Sequence, residues 1–342
     1  MRAGLAGYAR SGKTTLFNAL TGLNRGHEAK MHLGAIKVPD ARIDKLSAMF
    51  KPKKTTPAEV LLADLPGPRA KGASLETEAL QALREVEALC LVLRAFPGET
   101  PPDAVRDLRD YDAELILSDL QVAEKRLHRL RQEHNTGGEF QELSRLAKHL
   151  ETGAPLRLLS FSDAEDQAMA HFGFVSRKPM LVVVNVPEEK AAEPVDAALE
   201  SVARSLGAEA IALSAEVEAE IAQLAPAEQP EYLASLGLSE PARARFLRAV
   251  YALLRQISFF TVGEDEVRAW TIKKGDRAAR AAGKIHSDLE KSFVRAEVMH
   301  YDDFIASGSE HRARELGKLR LEGKDYVVHD GDILTVRAGR AK

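Results

Sequence analysis

The stretch GYARSGKT, Gly7 to Thr14, decides how the rest of the chain is read. It fits G-x-x-x-x-G-K-[ST], follows the short apolar run RAGLAG and opens the helical pattern TTLFNALTG. A glycine-rich turn in that context brings successive backbone N–H groups to one concave surface at a helix N-terminus, where phosphate is favoured. Here those are the groups of Arg10, Ser11, Gly12, Lys13, Thr14 and Thr15. Lys13 then reaches the β and γ phosphates, and the Thr14 hydroxyl is a ligand for Mg2+. Such a site also wants a carboxylate at the end of a neighbouring strand to hold the magnesium through water. EVLLADLPG supplies Asp64, and Gly67 completes a D-x-x-G turn whose N–H faces the γ phosphate. Lys13 and Gly67 are the candidate catalytic positions, Thr14 and Asp64 the candidate metal ligands, and the predicted chemistry is that of a nucleoside triphosphatase.

The bulk of the chain is of ordinary globular composition, not that of a disordered chain. It has 342 residues, 45% hydrophobic and 29% charged, enough for two or three domains. A net charge of -3 argues against a generally basic nucleic-acid binder, and no DNA partner is expected. The single cysteine, Cys90 in ALCLVL, reads as core and excludes a disulfide framework or a Cys metal cluster. The opening MRAGLAGYAR is too short an apolar run for a signal peptide, and no stretch approaches the ~20 residues that span a bilayer. A cytoplasmic protein without a membrane partner is expected.

Short apolar strands alternate with helical patterns over the first 111 residues: RAGLAG, HLGAIKV, EVLLAD and ALCLVLRAF. From Asp112 the period changes. Ile116, Leu120, Ala123, Leu127 and Leu130 step by four and three, NTGGE breaks the run, and Phe140, Leu143, Ala147 and Leu150 resume it, which predicts an inserted antiparallel coiled-coil hairpin. The α/β pattern returns with PMLVVVNV, a helix near 191–206, AEAIALS and a helix near 217–224; an amphipathic helix near 240–256 follows. Beyond Ser258, EVRAWTI, KSFVRAEVM and DYVVHDGDILTV predict a small α+β domain with nearly balanced charge. The expected division is 1–111 with 177–257 as an α/β P-loop NTPase domain on a mostly parallel sheet, 112–176 as the hairpin, and 258–342 as the C-terminal domain.

LVVVNVPEEK, Leu181 to Lys190, runs from a buried strand into Asn185, at the edge where α/β sheets bind ligands. This is where P-loop GTPases keep N-K-x-D, whose carboxylate accepts from N1–H and the exocyclic amine of guanine, a reading adenine cannot satisfy. The four residues here are NVPE: Val186 stands for the stacking lysine, and Glu188 moves the carboxylate out by one methylene.

At this point the chain resembles the YchF subfamily of Obg-like ATPases, nearly end to end. The resemblance is carried by SGKTTLFNALTG, VPDARIDKLSAMFKP, SAEVEAEIAQL, RAVYALLRQISFFTVGEDEVRAWTIKKG, AAGKIHSDLEKSFVRAEV and EGKDYVVHDGDIL. It implies a coiled-coil insertion, a C-terminal TGS domain of β-grasp type, slow Mg2+-dependent hydrolysis favouring ATP over GTP, and association with ribosomes. By the same resemblance LSAE at 213–216 backs the base, placing Ser214, Ala215 and Glu216 beside Asn185, Val186 and Glu188.

The chain departs from that family at the catalytic machinery. Arg10 stands where the family has Asn, and its guanidinium either reaches phosphate oxygens or points to solvent. The segment GLNRGHEAKMHLGAIKVPD contains no Ser or Thr, so no hydroxyl from it completes the magnesium shell. DLPGPRAKGAS carries Pro66 and Pro68, with only KGAS matching the family, and Pro68 sits where signalling GTPases place a water-orienting glutamine. Binding is thus expected more firmly than turnover, and two alternatives stay open: a nucleotide-binding adaptor without hydrolysis or switching, and a GTP-preferring GTPase. His286 reads as structural or surface and Trp270 as core. Lys125, Arg126, Arg129 and Arg131 are either the solvated face of the hairpin or an edge for ribosomal RNA.

Overall fold

Apolar runs bounded by turn residues become the strands of two sheets in the computed structural model, which describes residues 2–26, 31–68 and 75–339. The strands are β1 (Arg2–Ala6), β2 (His32–Lys37), β3 (Lys54–Thr56), β4 (Glu59–Asp64), β5 (Ala88–Arg94), β6 (Met180–Asn185) and β7 (Ala208–Leu213). They continue as β8 (Gln256–Thr261), β9 (Glu266–Lys273), β10 (Phe293–His300), β11 (Arg320–Glu322) and β12 (Asp332–Ala338). The chain divides into two units, Met1–Ile36 with Leu61–Leu253 and Lys37–Val60 with Leu254–Lys342.

In the first unit the sheet order is β2-β4-β1-β5-β6-β7. Strands β4, β1, β5, β6 and β7 run parallel, so their C-terminal ends share one edge. β6 is buried at every position and β5 at all but its last, the expected state of central strands covered on both faces. Helices α1 (Lys13–Thr21) and, after α2 (Ala41–Phe50) of the other unit, α3 (Thr77–Glu85) belong to this α/β body.

The hairpin is built from α4 (Ala104–Gln132) and α5 (Gly138–Glu151), the predicted break falling between them. Its seam buries Ile116, Ala123, Leu127, Leu130, Leu143, Leu146, Ala147 and Leu150. Burying one such leucine is worth roughly 1.5–3 kcal/mol, so the seam rather than surface charge holds the arms together. α4 starts at Ala104, before the expected 112, because the Asp103 carboxylate caps it by accepting from the Arg106 N–H at 3.0 Å. Its first turns thereby belong beside the α/β sheet, where Leu108, Tyr111 and Leu115 join that core. Two buried acids tie the hairpin back. Asp119 accepts from Val175 N–H at 2.9 Å and Ser176 N–H at 2.7 Å, and Asp112 pairs with the buried Arg157. Five further α-helices belong to the described residues of this unit: α6 (Asp163–Met169), α7 (Ala197–Ser205), α8 (Ala215–Ile221), α9 (Gln229–Ser235) and α10 (Ala242–Leu253), the last being the amphipathic helix expected near 240–256.

The second unit is a mixed sheet of order β11-β10-β12-β8-β9-β3 around the helix Ala278–Ile285, whose Ala278 and Ala281 pack on Phe259, Ile272 and Val298. This is the β-grasp arrangement. It takes in 37–60, which the sequence placed in the nucleotide domain, because β3 pairs parallel with β9 and Arg42 of α2 bonds Asp330 at 2.7 Å. It also begins a few residues before Ser258, since Gln256 and Ile257 already pair with Lys273 and Ile272. Trp270 is half-buried rather than core: it stacks on Phe259 beneath Arg268, and its Nε1 donates to the Thr261 hydroxyl. His286 is exposed, its Nδ1 accepting from the Asp288 N–H. Among the described residues no helix is long and apolar enough to cross a membrane.

Candidate functional site

β1 ends in the turn Gly7–Gly12, and α1 begins at Lys13 with no side-chain cap, which leaves its first N–H groups to the loop. Gly12 takes φ 89°, and a Cβ there would lie 2.1 Å from Asn185 Nδ2, so only glycine fits. Arg10 also takes a left-handed conformation, φ 63°, one that non-glycine residues adopt at a cost. Ser11 is buried, and its Oγ has no hydrogen-bond partner among the described residues. Lys13, also buried, donates from Nζ to the carbonyls of Gly7 at 2.8 Å and Tyr8 at 3.0 Å. Burial lowers its pKa and the Asp64 carboxylate opposes that shift, so the ammonium is held by local carbonyls and by a neighbouring negative charge.

The Thr14 hydroxyl donates to Asp64 Oδ2 at 2.8 Å. A hydroxyl from the first turn of α1 and a buried carboxylate from the end of β4 thus face each other, two hard oxygen donors suited to Mg2+. Asp64 leads into a turn pressed against the phosphate loop. The Ala9 N–H donates to the Pro68 carbonyl at 3.3 Å, and a Cβ on Gly67 would lie 2.2 Å from the Gly7 carbonyl and 3.0 Å from Lys13 Nζ. The KGAS match, 71–74, and part of the segment lacking hydroxyls, 27–30, lie outside the described residues.

Asn185 is the clasp at the other end. Its Nδ2 donates to the Ser11 carbonyl at 3.0 Å, and its Oδ1 accepts from the Ala215 N–H at 2.9 Å. One buried side chain therefore joins the phosphate loop, β6 and the start of α8. Between these lies a cavity of about 510 Å³ lined by Gly12, Thr15, Asn185, Val186, Ala215 and Glu216, among others. Ser214 is buried below it as the N-cap of α8, its Oγ accepting from Val217 N–H. Glu188 is not part of the lining: it stands on the exposed 3-10 turn Glu188–Lys190 that follows Pro187.

The cavity has a wall that no motif announced. Phe96 and Pro97, from the loop after β5, close one side, and Ala219 and Glu220 of α8 close another. Arg94 fixes that loop, donating to Phe96 O at 3.2 Å and Thr100 O at 2.7 Å. The topology contains the signal: β5 lies between β1 and β6, so the loop at its C-terminal end must sit between the phosphate loop and Asn185. Glu99 of the same loop meets Arg10 at 2.5 Å, both side chains being largely exposed. Tyr8 packs edge-on against Tyr111 of α4, and burial, with the nearby Asp110 and Asp107, pushes its pKa up to about 12. In the hairpin, Arg126 is committed to Glu139 at 2.7 Å, while Lys125, Arg129 and Arg131 face solvent. No group of three or more metal-ligating His, Cys, Asp or Glu occurs among the described residues.

Comparisons with known proteins agree with this geometry. A family model described as 50S ribosome-binding GTPase matches residues 2–126, and the YchF-GTPase C-terminal model, described as a protein of unknown function, matches 256–339. The ribosome-binding ATPase YchF of Bacillus subtilis is 37% identical over 98% of this chain and 99% of its own length. That of Escherichia coli O157:H7 is 36% identical over 97% and 98%. The solved Schizosaccharomyces pombe YchF GTPase superposes with a TM-score of 0.87 at 29% identity, covering 98% of this chain and 97% of that one.

Proposed function

Because this chain belongs to the YchF family of nucleoside triphosphatases, we propose that it binds ATP in preference to GTP with Mg2+, hydrolyses it slowly, and engages the ribosome in the cytoplasm. The two bacterial relatives are named ribosome-binding ATPases, and the proposal carries both terms to this chain. The observation that carries the nucleotide reading is the single cavity with the phosphate loop at one end and Asn185, Val186 and Ala215 at the other. A nucleoside triphosphate laid along it has its phosphates on the N–H groups of residues 10–15 and its base against Val186 and Phe96.

In this reading Lys13 neutralises the β and γ phosphates and the Gly67 N–H addresses the γ phosphate. Thr14 and Asp64 would hold Mg2+, which would supply neutralisation of charge on the phosphate oxygens. No side-chain base stands after Gly67, since Pro68 follows it, so water is positioned by backbone alone and turnover is slow. Preference for ATP is supported by the relatives, which are named ATPases, and by the altered clamp, in which Val186 and Glu188 stand for the lysine and aspartate that read guanine. Calorimetric titration with ATP, GTP and their diphosphates, with and without Mg2+, tests base and metal together. Tighter ATP than GTP binding, strengthened by Mg2+, is expected, and tighter GTP binding would refute the assignment of the base.

One observation favours the adaptor alternative, binding without turnover. The Gly67–Pro68 turn is bonded directly to the phosphate loop, the Ala9 N–H donating to the Pro68 carbonyl, and Gly67 packs against the Gly7 carbonyl. Phosphate release separates the two readings.

A further inference from the structure

We propose that Arg10 is a catalytic residue supplied in cis: its guanidinium leaves Glu99 for the γ-phosphate oxygens and stabilises the charge that develops there during hydrolysis. The assignment rests on the ATP-hydrolysis reading above and deepens it.

Arg10 lies inside the phosphate loop itself, and its left-handed backbone at φ 63° fixes where the side chain starts. Its side chain is 76% exposed and its guanidinium meets Glu99 at the surface, at 2.5 Å. Glu99 is held beside it because Arg94 anchors the loop on both sides, at Phe96 O and Thr100 O. The pair therefore links the phosphate loop to the loop whose Phe96 and Pro97 wall the cavity. An ion pair this exposed contributes little. A bound triphosphate, with several charges close to the loop, outcompetes one solvated carboxylate, and only side-chain torsions have to change.

The site needs such a group. Pro68 has no polar side chain, and residues 22–40 contain no Ser or Thr. In the reaction the water oxygen bonds to the γ phosphorus while the bond from that phosphorus to the β–γ bridging oxygen breaks. The electron pair stays on ADP, and both water protons end on the released phosphate. Charge accumulates on the bridging and γ oxygens, and a planar guanidinium meets two of them at once, which an ammonium cannot.

The test is single-turnover ATP hydrolysis at saturating ATP by the full chain, with ATP affinity measured in parallel. Arg10→Gly suits the positive φ, and Arg10→Lys keeps the charge. Arg10→Gly is expected to lose ~100-fold or more in the hydrolysis rate, the scale of removing one preorganised donor, with ATP affinity within about threefold of wild type. Arg10→Lys recovers only part of that loss. Turnover in Arg10→Gly within about threefold of wild type overturns the assignment alone, as does a loss of affinity that accounts for the whole loss of rate. A wild-type chain that binds ATP without turnover overturns the hydrolysis reading and the assignment together.

Discussion

Asn185 has to be a structural clasp before it can serve a nucleotide, and that gives a measurable consequence without any ligand. Asn185→Ala deletes two buried hydrogen bonds, from Nδ2 to Ser11 O at 3.0 Å and to Oδ1 from Ala215 N–H at 2.9 Å. Both backbone groups stay behind, and each buried polar group left unpaired costs ~1–3 kcal/mol. A total of ~3 kcal/mol raises the local opening equilibrium by roughly 100-fold. Hydrogen exchange in the nucleotide-free protein reads this directly: amides of 11–16 and 213–218 should exchange about two orders of magnitude faster, while those of β10 keep their protection. Asn185→Asp retains an acceptor for Ala215 but sets an oxygen against the Ser11 carbonyl, so it should lose part of the protection at 11–16 and keep it at 215. Exchange in Asn185→Ala within about threefold of wild type at both segments would refute the clasp.

Gly67→Ala puts a Cβ 2.2 Å from the Gly7 carbonyl and should push the turn off the phosphate loop, lowering ATP affinity tenfold or more by titration. Arg157→Ala strands the buried Asp112 and removes donors to Leu206 O and Ser176 O, so thermal unfolding should show a loss of ~3–5 kcal/mol. Asp119 is raised by burial from 3.8 to about 6 against its Ser176 and Val175 hydrogen bonds. The folded state thus keeps that proton to higher pH than the unfolded chain. Its contribution is present in full below pH 3.8 and lost as pH rises through about 6, so the wild-type minus Asp119→Asn difference in stability should fall across that window.

The site was legible where chemistry is local in sequence. GYARSGKT, Asp64 and Asn185 each sit at a strand end, and the central strands β5 and β6 announced themselves by apolar runs that turn out buried. What escaped depends on long-range pairing. β3 has three residues, too few to carry an alternation, and only its partner β9 assigns it to the second unit. Phe96 and Pro97 carry no motif and reach the cavity through strand order alone. The early start of α4 was readable in principle, since Asp103 after Pro101 and Pro102 is a capping signal, but the heptad seam begins later and drew the boundary with it. Glu188 was placed by analogy with a base-reading aspartate, and the exposed 3-10 turn after Pro187 carries it away from the lining.

The central claim is that this phosphate loop works on ATP. Phosphate release from ATP with Mg2+, wild type against Lys13→Ala, tests it most directly. Slow release by wild type that Lys13→Ala abolishes, and that ATP supports better than GTP, is the predicted result; equal release by the two proteins, or none from wild type, contradicts it.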